Sequence, residues 1–192
     1  MGLALDIFLV HCYVRTALID LTMFDKLLRG DVFGNGCPVH PALVNMPLAL
    51  YPLSALLRLV GTLPEVASFF DGLDTGSFYA GAHYLNLAAL LVTIPTAITG
   101  FVEYKTINKQ NSEALSVVHK HIGLNLIVSS IGLFNFLALN SVPGFVPETI
   151  HVVLGIVGAL LLWYSGHLGG QLVYEHGIGV QRQGRCRRKR RE

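Results

Sequence analysis

Eight histidines, most of them near the ends of long apolar runs, are the side chains of this sequence best suited to do chemistry. Neutral imidazole is the usual axial ligand of b-type haem in membrane bundles, and glycine on a facing helix lets a porphyrin approach. Four histidines are candidates for haem or metal ligation: His83 and His151 toward one membrane face, His121 and His167 toward the other. A His83–His151 pair would hold one haem and a His121–His167 pair another. Helical phase works against that symmetric design. His151 and His167 are sixteen residues apart, which turns them to nearly opposite faces of one helix. Imidazoles hydrogen-bonded at wet helix ends account for the same distribution without any ligand. His121 heads a polar stripe that continues through Asn125 and is the strongest functional candidate among them.

Glu103 is the second candidate. At the end of an apolar run its carboxylate can accept protons, or pair with Lys120 or His121 across a short loop; bonding to a neighbouring helix end is the plainer reading. Three further stripes, Asn86–Thr93–Gly100, Asn125–Ser129–Gly132 and Asn45–Pro52, read first as hydrogen-bond glue between helices and second as the lining of a small-solute path. The sequence has no nucleophile–base arrangement, phosphate-cradling glycine loop or metalloprotease motif; His119-Lys120-His121 is not H-E-x-x-H. Cys12, Cys37 and Cys186 are far apart and odd in number, so neither a disulfide framework nor a zinc site is expected. The leading expectation is a non-enzymatic protein with no resident cofactor and a structural or small-solute role. The alternative is a b-type haem electron carrier.

The elements that must position these residues are membrane spans. The 192 residues are 52% hydrophobic and 14% charged, with mean hydropathy +0.54, whereas about a quarter of a soluble domain is charged. Four apolar runs, at about 40–60, 79–104, 118–139 and 151–174, are each long enough to cross a hydrocarbon core of about 30 Å as a helix. The expected fold is all-α: a four-helix transmembrane bundle over 38–180 with a peripheral N-terminal helix. Pro41 suits the first turn of its span, while Pro47, Pro52 and Pro95 should bend theirs. Arg58, near the end of the first span, is expected to snorkel to the interface.

In the fourth run Gly155, Ala159, Gly166 and Gly170 follow at steps of four, seven and four, and make a smooth stripe for close helix packing. That stripe serves the bundle itself or a homo-oligomer. Residues 3–24 are apolar but carry Asp6, Arg15 and Asp20, so 1–30 reads first as an interfacial segment and second as a fifth span. Seven of the fourteen Lys and Arg residues follow residue 180. The tail 181–192 is therefore expected to meet anionic lipid and no nucleic acid, with both termini cytoplasmic and the bilayer as the main partner.

The exit sequence GGQLVYEHGIGV, together with HPALVNMPLAL, ITGFVE and HIGLN, resembles an uncharacterised transmembrane family, domain of unknown function 2231, and its overall cast is similar to fungal members. The resemblance runs from about His40 to Gln183. It implies a four-helix membrane domain with no established activity. Members often carry a second histidine five positions after the first in the entry motif; Asn45 stands there in this sequence.

Overall fold

The computed structural model describes residues 39–105 and 107–179. The expectations for the N-terminal segment, the three cysteines and the basic tail lie outside the described residues. Five α-helices are present among the described residues: α1 (His40–Gly61), the short α2 (Pro64–Ala67), α3 (Thr75–Tyr104), α4 (Ser112–Asn140) and α5 (Thr149–Tyr174). A 3₁₀ turn, Pro143–Phe145, joins α4 to α5, and no strand occurs among the described residues. Helices α1, α3, α4 and α5 are each long and apolar enough to cross a bilayer, at 22, 30, 29 and 26 residues.

The helix starts have local causes. Pro41 occupies the first turn of α1, where an amide donor is not needed. Asp74 caps α3, its Oδ1 accepting from the Ser77 amide at 2.7 Å and from the Ser77 hydroxyl at 2.7 Å. Asn111 caps α4 by accepting from the Ala114 amide at 3.1 Å. These caps explain why α3 and α4 begin four and six residues before the apolar runs at 79 and 118: a capped first turn needs no hydrophobic residues. The family-bearing exit closes α5. There the amides of Gly177 and Ile178 turn back on the carbonyls of Val173 and Leu172, and Gly177 takes a φ of 65° that a side chain would resist.

The four long helices alternate in direction and form a ring, α1 against α3, α3 against α4, α4 against α5, and α5 back against α1. At mid-height each contributes one residue to a common cluster: Tyr51, Ala89, Val128 and Leu162. Outside, the apolar bulk faces away from the protein: Leu91, Ile94, Ile98, Leu126, Leu133, Leu137, Leu160 and Trp163 are all exposed. Water would not tolerate that surface, and lipid does. The interior holds Ser54, Arg58, His83, Asn86, Thr96, Thr99, Asn135, His151 and Ser165, all buried. The bundle mixes polar and apolar groups inside and presents a greasy surface outside.

Within α3 the hydroxyls of Thr93, Thr96 and Thr99 donate to the carbonyls of Ala89, Val92 and Pro95, four residues back. Such bonds spare three hydroxyls from the lipid-depth interior around Pro95. Arg58 departs from expectation. It is 3% exposed and turned into the bundle, not snorkelling, because it shares the inward face of α1 with Tyr51 and Ser54, seven and four residues earlier.

Candidate functional site

The buried polar groups sort into three levels along the bundle. At the end bearing both described termini, His40 of α1 lies against α3. Its Nδ1 donates to the Thr96 carbonyl at 3.0 Å, with the Thr99 hydroxyl at 3.2 Å. Its ring fills the space above Gly100, where a Cβ would come within 2.8 Å of His40 Cε1. His121 of α4 does the same toward α5. Its Nδ1 donates to the Ser165 carbonyl at 2.8 Å, and its Cε1 lies 3.4 Å from where a Gly169 Cβ would stand. The Asn125 amide reaches His121 Nε2 at 3.1 Å and Ser165 Oγ at 2.9 Å. The motif pairs of the sequence thus meet in space: HPALVN against ITGFVE, and HIGLN against the fourth span.

At mid-height the Tyr51 ring crosses the bundle to Gly132, where a Cβ would fall 2.6 Å from Tyr51 Cε1. Asn86 Nδ2 donates to the Gly132 carbonyl at 2.8 Å, and the Ser54 hydroxyl donates to the Ala82 carbonyl at 2.8 Å. Each of these bonds joins two helices, which is the glue expected of the stripes.

At the far end His151 Nδ1 donates to Asn135 Oδ1 at 2.9 Å, and Asn135 Nδ2 donates to the His151 carbonyl at 3.4 Å. His83 is 2% exposed. Its ring lies between Phe136 and Phe145 at centroid distances of 4.8 and 4.0 Å. Phe145 has a φ of 54°, an unusual conformation for a bulky residue, and the stacked imidazole covers the ring so held. The remaining candidates are scattered. His167 is exposed on the outer face of α5, stacked near Tyr164, so it does not meet the inward-facing His121. Glu103 is half-buried near the end of α3, and Lys120 is exposed on α4.

Nδ1 hydrogen bonds of this kind orient an imidazole and are compatible with ligation through Nε2. In His121, however, Nε2 is within reach of the Asn125 amide. His83 and His151 stack on different phenylalanines, His151 on Phe134. No group of three or more His, Cys, Asp or Glu side chains suited to a metal ion occurs among the described residues.

Of the small-residue stripe, Gly155 lies against Ala55 and Arg58 of α1, and Gly166 against Leu48. A Cβ at Gly170 would come near its own helix's Tyr174 only, and Tyr174 is 89% exposed. The inward face of α5 instead follows His151, Gly158, Ser165 and Leu172, a strict seven-residue repeat.

Between the middle and far levels the four helices border a partly open cavity of about 20 Å³, lined by Tyr51, Ser54, Arg58, Asn86, Asn135 and Gly155 among others. Arg58 brings a guanidinium to its wall, and Arg58 Nη2 is buried without a hydrogen-bond partner. Sequence reasoning gave no site role to Arg58, His40, Tyr51 or Ser165. The signal for three of them was available: Tyr51, Ser54 and Arg58 fall on one helical face, and His40 precedes it by eleven residues, three turns.

These features define a class, a four-span membrane protein whose long polar side chains on one helix insert over glycines of the next. The chain belongs to the family described as a predicted membrane protein, domain of unknown function 2231, whose model matches residues 36–182. The match carries the family and not the fungal cast. No curated protein and no solved structure matches the chain.

Proposed function

We propose that this multi-pass membrane protein is non-enzymatic and takes up a small polar solute inside its bundle. The observation that carries the reading is the small, partly open cavity bordered by all four long helices, with Tyr51, Ser54, Arg58, Asn86 and Asn135 in its lining. The polar groups at the terminal end bond to one another and are accounted for as glue. Those around the cavity keep unspent donors: Arg58 Nη2 has no partner, and an amide nitrogen such as that of Asn86 carries two hydrogens, only one of which is needed for Gly132. The engagement of His121 Nε2 with Asn125 is the reason for preferring this reading to a b-type haem carrier. In the same reading both termini face the cytoplasm, because the Lys and Arg residues concentrate on that side, and the basic tail meets anionic lipid.

The test is solute flux in proteoliposomes, followed by stopped-flow light scattering with water, small polyols and monovalent salts in turn. Flux above that of protein-free vesicles for one of these solutes is expected, reduced when Ala159→Leu fills the cavity wall. Flux equal to protein-free vesicles for every solute refutes the reading.

A further inference from the structure

We infer that the cavity beside Arg58 is a binding site for one small monovalent anion of halide size. The inference deepens the solute reading above and rests on it for its biological meaning, though not for its chemistry. Arg58 is 3% exposed in the last turn of a membrane-spanning helix, and guanidinium remains protonated in proteins. Among the described residues no carboxylate pairs with it, and Nη2 lacks any hydrogen-bond partner. A buried cation without a counter-charge is strongly unfavourable in a medium of low polarity. The neighbours do not relieve it. His83 and His151 both feel its charge, and an imidazole is neutral or positive, never negative.

The rest of the lining suits an anion. Tyr51 offers a hydroxyl, and Asn86 and Asn135 each have a second amide hydrogen beyond the one given to Gly132 and His151. Val128, Ile131 and Ala159 close the remaining walls with apolar groups. The cavity of about 20 Å³ has room for one water-sized occupant, so polyatomic oxyanions such as sulfate do not fit. Gly155 lies on the same side, where a Cβ would stand in contact with Arg58 Nη1 at 3.4 Å. A single dehydrated halide on the Nη2 side neutralises the charge and takes up donors that are otherwise idle.

The experiment uses the full chain purified in detergent and exchanged into sodium gluconate. Sodium chloride replaces gluconate at constant ionic strength while the thermal unfolding midpoint is followed. A saturable rise in the midpoint is expected with chloride or bromide and none with sulfate, because a ligand that binds only the folded state stabilises it. Excess broadening of the chloride-35 NMR line should accompany the rise. Both effects should vanish in Arg58→Gln. They should also vanish in Asn135→Asp, which places a permanent carboxylate on the same cavity wall; this variant keeps the test decisive if Arg58→Gln fails to fold. A midpoint identical in chloride and gluconate overturns the inference, as does a chloride response that persists in either variant. Chloride binding without any solute flux leaves the site standing and removes the transport reading. Flux of a neutral solute with no chloride response does the reverse.

Discussion

The contact between His40 and Gly100 allows a quantitative prediction about what holds the first and second spans together. Gly100→Ala would put a Cβ within 2.8 Å of His40 Cε1 and 3.2 Å of Nδ1. The ring must then leave, and its Nδ1–H loses the Thr96 carbonyl at 3.0 Å. Hydrogen bonds between membrane helices are worth about 0.6 kcal/mol on average and up to about 1.7. Crowding a packed interface by one methyl adds about 1 kcal/mol at the low end of its range, appropriate here because the obstructing atom is the tip of a side chain. Together these give a loss of about 2 kcal/mol. His40→Ala removes the same hydrogen bond and leaves a void, at a comparable cost. In the double variant the new methyl occupies space the ring has vacated, and the hydrogen bond is lost only once. The double variant should therefore lose about 1 to 2 kcal/mol less than the sum of the single losses. Reversible unfolding in mixed micelles with increasing dodecyl sulfate, run on all four proteins, measures the coupling. Additivity within about 0.5 kcal/mol would refute the knob-over-glycine account of the family motifs.

Four further outcomes follow from other parts of the structure. Gly132→Ala brings a Cβ to 2.6 Å from Tyr51 Cε1 and 3.2 Å from Asn86 Oδ1, and should cost about 1–3 kcal/mol in the same unfolding assay. Hydrogen bonds from the Ser77 hydroxyl and amide hold the Asp74 carboxyl below the usual aspartate range. Its contribution is therefore complete above about pH 4 and fades as the pH falls through its lower folded value; the midpoint difference between wild type and Asp74→Ala should be constant at neutral pH and shrink in stronger acid. Protein expressed with ample haem should give a flat reduced-minus-oxidised spectrum, and an α-band that disappears in His121→Ala would reinstate the electron-carrier reading. A reporter fused after residue 192 should read out as cytoplasmic, and a lumenal or extracellular signal would break the charge-bias argument.

The four spans were legible in the sequence because lipid demands long uncharged runs, and little else satisfies that demand. The inward faces of α3 and α4 were legible in part. Asn86 is buried where its spacing put it, since a polar residue has no favourable place against lipid. Arg58 was misjudged by a rule about position alone: an arginine near a helix end can reach the interface, but only if it starts from the outer face. Its register with Tyr51 and Ser54 decides the matter. In the glycine stripe of the fourth span, Gly155 and Gly166 lie against α1, while Gly170 meets only Tyr174 of its own helix. Steps of four, seven and four follow an isolated helix, whereas α5 packs with the seven-residue repeat of His151, Gly158, Ser165 and Leu172, which bundle packing imposes. The cavity was not legible, because its walls come from four helices and no single stretch contains it.

The unequal helix lengths have a consequence for the surrounding bilayer. At 1.5 Å per residue α1 is about 33 Å long, close to the hydrocarbon thickness of a cell-surface membrane, and α3 is about 45 Å. Contacts fix their relative height: His40 meets Gly100, and Gly61 meets Phe78 and Tyr79. So α3 (Thr75–Tyr104) overshoots α1 by about one turn at each side. The lipids beside α1 and those beside α3 are thus offered two different hydrophobic heights by one rigid body. The annulus around this protein must thicken along one flank or let the bundle lean, and the shorter helix decides how far.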